Sequence, residues 1–346
     1  GWVHDLIAQG TGRLLVVVTT RPRESADLLL DAHAALQLGP LSDEAALASV
    51  RVLLPGADPF LARRIVDLSG GNPLYLEELC HFAQTSRTVE ALPGGLRGPA
   101  WLEALIANRL ARLAPAARHV LDCAAAIGTQ VPGELLTPLC GLALDADEVK
   151  VLADEDLLFP SPGENALRFK HGITREVAYA AIGLETRRAL HRRLAELIEA
   201  PGQAGAVELL AYHHAGAGNH GRAAHCSALA GDRAMAMSAI DRAKLHYRAA
   251  LEATDRQGQQ HEQYLLWRSA VRRYGMACVF DPGASDVAIF EQAVERGRQW
   301  QDAAGTAYAA YWLAYVHYAL GATRPAIAAC GLARDACQSA GDDELA

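Results

Sequence analysis

GDRAMAMSAIDRAKLHYRAALEA, residues 231–253, decides how most of this chain folds. Ala230 and Gly231 stand side by side on one helical stretch, and Ala243, Tyr247 and Ala250 fall on one face of the next. Two small residues let a neighbouring backbone come close, while spacings of four and three seat an aromatic ring between two alanines on the approaching helix. That is the arithmetic of an antiparallel helical hairpin with a repeat of about 34 residues. Gly321, Ala326, Cys330 and Ala333 repeat the pattern, whereas residues 259–300 match it poorly. The stretch from 184 to 346 therefore reads as three or four helical hairpins, stacked because a single hairpin cannot bury both of its faces.

Bulk properties bound the rest. At 346 residues the chain exceeds what one core usually supports, so two or three domains are expected. A hydrophobic share of 51% with 21% charged residues describes a soluble globular protein. The net charge of -8 and pI near 5.9 disfavour a general nucleic-acid or anionic-membrane surface. Seven cysteines, an odd number without any CxxC pair, read as buried thiols in a reducing cytosol rather than a disulfide frame or zinc site. No apolar run approaches the roughly 18 residues of a membrane span. The first residue is glycine and the start lacks a leader pattern, so the chain reads as a piece of something larger.

Before the repeats, LLVVVTTRPRE (14–24) follows a helical tail at 2–9 and two glycines, and its apolar run at 14–19 suits a strand buried on both faces of a parallel sheet. ALQL (35–38) offers a second short strand. From LSDEAALASVRVLL (41–54) onward, with Ser42 as N-cap, helical spacing dominates. PFLARRIVDLSGGNPLYLEELCHFA (59–83) reads as two helices broken at Gly70 and Gly71, with Pro73 opening the second, where its missing N–H costs nothing. Residues 87–100 read as a loop. Four helices and two strands, 156–160 and 166–171, joined by the turn SPGEN, fill 101–183 in the order of a winged-helix domain.

No GxxxxGK[ST] occurs, and no apolar strand ends in an acidic pair for magnesium, so the chain lacks the loop whose amides and lysine cradle phosphates. TTRP (19–22) lies where parallel sheets put ligands; there Arg21 could fork onto a γ-phosphate or simply pair at the sheet's rim. GGNP (70–73) fits either a proline held against an adenine ring or a plain break between helices. His171 stands just before the helix ITREVAYAAI, as a donor to a phosphate or as a half-buried cap. His213 and His214 are adjacent, about 100° apart on a helix, which argues against their chelating one metal. No Ser, Cys or Thr has the histidine and acid partners of a triad. ETRRALHRRLAELIEA (185–200) carries Ala189, Leu190, Leu194, Leu197 and Ile198 at helical spacing, an amphipathic helix with a cationic outer face rather than a nucleic-acid binder.

Taken in order, LLVVVTTRPRE, PLSDEAALASV, IVDLSGGNPLYLEEL, IANRLARLAPAARHVLDCAAAIG, LRFKHGITREVAYAAI, RRALHRRLAELIEA and AYHHAGAGNHGRAA resemble the ATPase module of signal-transduction ATPases with numerous domains. The resemblance is to the bacterial version fused to class III adenylate/guanylate cyclases, related to large ATP-binding transcription activators. It covers nearly the whole chain, and FKHGITREVAY followed by RRALH is its most specific part. It implies that Arg21 is a sensor arginine, that Gly71, Asn72 and Pro73 are the glycine-any-proline motif of the adenine pocket, and that His171 is the winged-helix histidine that touches bound diphosphate and locks the inactive state. ATP or ADP with magnesium is then the cofactor of the intact parent. The phosphate loop, the magnesium-binding acids and any cyclase domain would precede residue 1.

The expected architecture is mainly α: a truncated α/β remnant of a P-loop nucleotide-binding core (1–45), a helical lid (46–98), a winged helix (99–183) and an α-solenoid of tetratricopeptide-like hairpins (184–346). The expected function is a cytoplasmic ATP/ADP-sensing module that couples nucleotide state, and a protein partner or ligand on the repeats, to an output domain of the same parent chain. No direct nucleic-acid or membrane contact is expected, and no catalytic or metal-ligating residue is assigned. Alone, the chain is expected neither to bind nucleotide tightly nor to hydrolyse it. The rival readings are an interaction scaffold with a degenerate ATPase and part of an ATP-dependent transcription regulator. A phosphate loop encoded upstream of residue 1 favours the switch; a start codon just upstream favours the scaffold.

Overall fold

The computed structural model describes residues 36, 38–55, 57–86, 99–199, 207–256 and 261–340. The helix expected at 2–9, the strand at 14–19, Arg21 and the nucleotide-binding remnant up to residue 35 lie outside the described residues, as does 87–98 of the loop. Leu36 and Leu38 of the ALQL segment are exposed and in no strand. The chain divides into two compact units, Gly1–Arg97 and Gly98–Ala346.

In the first unit three helices, α1 (Asp43–Leu53), α2 (Pro59–Ser69) and α3 (Pro73–Ser86), close on Ala46, Val50, Ile65, Leu76 and Leu79. Their starts are written locally. The Ser42 hydroxyl accepts from the Ala45 N–H at 3.3 Å, and the Asp58 carboxylate accepts from Phe60 and Leu61 at 2.9 Å, satisfying amides that a helix start leaves orphaned.

The second unit begins with α4 (Pro99–Leu110), α5 (Pro115–Ile127), α6 (Gly133–Cys140), α7 (Asp147–Asp154) and α8 (Gly172–Ala181). Threaded among them are β1 (Gln130–Pro132), β2 (Leu158–Pro160) and β3 (Ala166–Phe169), an antiparallel sheet in the order β1-β3-β2. Val131 pairs with Leu167, and Phe159 with Arg168. The expected hairpin is present; β1 was not foreseen, because three residues ending in proline are too few to show an alternation. Helix α5 is buried on nearly every side, from Val120 through Ile127, and forms the centre of this half.

Eight helices follow: α9 (Leu184–Glu199), α10 (Val207–Gly216), α11 (His220–Ala236), α12 (Ile240–Asp255), α13 (His261–Cys278), α14 (Ala284–Gln299), α15 (Ala303–Ala319) and α16 (Thr323–Ala340). They form a helical-repeat solenoid of four hairpins, at the upper end of the expected number. A Cβ on Gly231 would lie 2.5 Å from Cδ1 of Tyr247, so the missing side chain is what admits the ring between α11 and α12. Residues 259–300, the poor match, supply α13 and α14. Their interior carries Trp267, Tyr274 and Phe290 in place of small residues, and this pair packs less closely than its neighbours. A buried carboxylate clips three of these helices together. Asp286 accepts from Lys244 Nζ at 2.8 Å, Arg248 Nη2 at 2.7 Å, the Gly283 N–H at 2.8 Å and the Tyr274 hydroxyl. Burial alone would push its pKa up, but these donors, Lys244 foremost, hold it at about 2.

Candidate functional site

In the first unit the GGNP motif is a break fixed from both sides. Gly70 and Gly71 take left-handed backbones, φ 57° and 76°. A Cβ on Gly71 would lie 2.7 Å from Pro40 Cβ and 2.8 Å from Leu41 O, and the Gly71 carbonyl accepts from the Leu41 N–H at 2.8 Å. Asn72 Oδ1 then accepts from Leu74 at 3.0 Å and Tyr75 at 3.4 Å, which leaves Pro73 at the first helical position. A stiff turn presenting a proline is what these residues make.

In the second unit His171 heads α8 from an extended backbone, separated from β3 by Lys170, and its side chain makes no capping bond to the helix. The same helix reaches three others. Arg175 donates to the Ala125 carbonyl of α5 at 3.0 Å and to the Tyr212 hydroxyl of α10 at 3.1 Å. Tyr179 Oη lies 2.6 Å from His191 Nε2, and His191 Nδ1 lies 2.8 Å from His213 Nδ1. A line of side chains thus runs from α8 through α9 to α10. Burial drives the His191 imidazole down to about 4, with the charges of Arg187 and Arg175 adding to it, and drives His213 down to about 3. Both rings are therefore neutral near pH 7, and of the two facing Nδ1 atoms one carries the proton and the other accepts it.

The amphipathic reading of α9 needs one correction: Ala189 is exposed, and His191, which that stripe omitted, is buried. A polar residue next to Leu190 and three before Leu194 was the available signal, since a histidine on a buried face needs a partner. The adjacent His213 and His214 do diverge as helical geometry requires. His214 Nε2 lies 3.0 Å from Glu199 Oε1, a carboxylate shared with Arg222.

Further along, α13, α14 and α15 line a half-open cavity of about 350 Å³. Tyr264, Trp267, Arg268, Val271 and Arg272 line it from one face of α13, while Gly305 and Tyr308 line it from α15. The spacing 264, 267, 268, 271, 272 is a helical stripe, and it lies in the segment that matched the repeat poorly. Asp302 accepts from Tyr264 Oη at 2.8 Å, Arg268 Nη1 at 2.6 Å and the Gly305 N–H at 2.8 Å, so Arg268 is neutralised within the wall. The exposed Arg272 instead lies 4.8 Å from the centre of the Tyr308 ring. The Trp267 indole N–H is buried and has no hydrogen-bond partner.

The described residues therefore define a helical-repeat protein joined to a small sheet-bearing half. No protein-family model matches the chain. An uncharacterized protein of Rhizobium meliloti is 28% identical over 310 residues, a match covering 83% of this chain and 30% of the relative. Among solved structures, a Pyrococcus horikoshii signal transduction ATPase with numerous domains, bearing a tetratricopeptide repeat sensor, matches 88% of this chain and 55% of its own, at 11% identity and a TM-score of 0.34. The chain thus spans less than a third of the curated relative. Among the described residues no helix is long and apolar enough to cross a membrane.

Proposed function

We propose that this chain is the sensing and coupling part of a nucleotide-regulated signalling ATPase. In the parent, ATP or ADP with magnesium supplies a two-state signal, the γ-phosphate being present in one state and absent in the other. Arg21, Pro73 and His171 keep the roles toward that nucleotide that the sequence resemblance implies. The residues present are compatible with those roles: Pro73 sits on a rigid turn, and His171 heads a helix of the sheet-bearing half. A partner or ligand on the repeats sets the balance between the states, and a domain of the parent, such as an adenylate/guanylate cyclase, is the output.

The observation that carries the reading is α9. It packs against α5 and α6 on one side and α10 on the other, with the Tyr179–His191–His213 line crossing it. A tilt of the first hairpin therefore pulls on the half that bears His171, and by reciprocity the nucleotide state alters affinity at the repeats. The test uses the full-length parent and a fluorescent ADP analogue. His171→Ala should release the analogue at least tenfold faster, the loss of one charge-assisted hydrogen bond, and the 346-residue chain alone should bind none. A parent that does not bind ADP, or whose release rate is unchanged by His171→Ala, refutes the reading.

A further inference from the structure

We propose that the cavity between α13, α14 and α15 binds a small monocarboxylate with an apolar, ring-sized body, held by the Arg272 guanidinium. The inference deepens the coupling function by naming the class of ligand the repeats would sense.

Size comes first. A space of about 350 Å³ is at the small end of ligand pockets, large enough for a single ring and its substituent. Its existence depends on residues that decline to fill it. Ala293, Ala304, Gly305 and Ala309 stand around it, and a Cβ on Gly305 would lie 2.7 Å from the Tyr264 hydroxyl. The walls are otherwise Val271 and the faces of Tyr264, Trp267 and Tyr308, a lining suited to hydrocarbon or an aromatic ring.

Charge comes next. Of the arginines around the cavity, Arg268 is spent on Asp302 and Arg296, stacked 4.2 Å over the Trp267 ring, is spent on Asp255 at 2.6 Å. Arg272 pairs with no carboxylate among the described residues and rests on the Tyr308 ring. One uncompensated cation calls for one negative charge. A carboxylate meets that demand with two oxygens that can fork onto the one guanidinium. A phosphate carrying nearly two charges would remain half uncompensated, and a neutral ligand would leave Arg272 where it is.

The test is a ligand-observed NMR titration of the whole 346-residue chain with phenylacetate, its neutral twin phenylacetamide, and inorganic phosphate. Phenylacetate should bind saturably, phenylacetamide at least tenfold more weakly, and phosphate should not compete. Arg272→Gln should weaken phenylacetate at least tenfold while its circular dichroism melt stays that of the parent chain, and Arg242→Gln, an exposed arginine on α12, should leave binding unchanged. Equal binding of acid and amide, competition by phosphate, indifference to Arg272→Gln, or no saturable binding of phenylacetate overturns the proposal. Binding to this chain reports on the cavity alone, and ADP release from the full-length parent reports on the coupling, so either can fail without the other.

Discussion

Acidification should act on this protein chiefly through the His191–His213 pair. An unfolded chain protonates both rings as the pH falls through about 6.5. The folded chain resists until about 4 for His191 and about 3 for His213, because burial disfavours charge and because protonating both rings would face two N–H groups across one 2.8 Å contact. Their neighbours reinforce this: Arg175 and Arg187 are cations, the Tyr179 hydroxyl meets His191, and the Glu199 carboxylate is engaged by His214 and Arg222. The folded values are lowered, so the unfolded state binds more protons below about 6.5, and stability falls as the pH falls. At pH 5, about 1.5 units below the unfolded value, each ring removes about 2 kcal/mol at 1.36 kcal/mol per unit, and the pair up to about 4 kcal/mol relative to pH 7.5. Urea unfolding followed by circular dichroism at both pH values measures this directly. The double variant His191→Gln, His213→Gln should lose most of that pH dependence. A double variant whose stability falls in parallel with the parent chain, or imidazole resonances of His191 and His213 that titrate near 6.5 in the folded chain, would refute the account.

Two further substitutions probe the repeats. Asp286→Asn leaves Lys244 buried, and the half-exposed Arg248 beside it, against a neutral amide and should cost about 3 to 5 kcal/mol in urea unfolding. The Asp286 contribution itself should persist above the ordinary carboxylate value and fade as the pH falls from about 4 towards 2. Gly231→Ala sets two effects against each other: a gain of up to about 1 kcal/mol in helix propensity, and about 1 to 3 kcal/mol of strain where the new Cβ meets the Tyr247 ring. A net loss of about 1 to 2 kcal/mol is expected, relieved by adding Tyr247→Leu, and a net gain would show that the close approach does not matter.

Short-range chemistry was legible in the sequence. Ser42, Gly70, Gly71 and Pro73 mark helix ends through bonds spanning only a few residues, and the Gly231–Tyr247 contact joins two adjacent helices at a fixed offset. Contacts between distant residues left weaker traces. His191 and His213 are 22 residues apart, and nothing in either position names the other. The cavity depends on α13 and α15 facing each other around α14, and its stripe fell where the repeat signal failed. The buried Trp267, Tyr274 and Phe290 erase the small-residue pattern there.

Helix α9 belongs to two cores at once. Leu194 and Ile198 are buried in it along with His191, and the ring of His191 also leaves no room for a Cβ at Gly216, 2.7 Å from its Nε2. A repeat array built this way is not a detachable cartridge. A crossover that exchanged the repeats at residue 184 would sever the histidine pair and strip α5 and α6 of their cover, whereas one placed after Gly216 would carry the joint over whole. Wherever such halves are shuffled between proteins, α9 and α10 should travel with the sheet-bearing half, and the freely exchangeable part begins at α11.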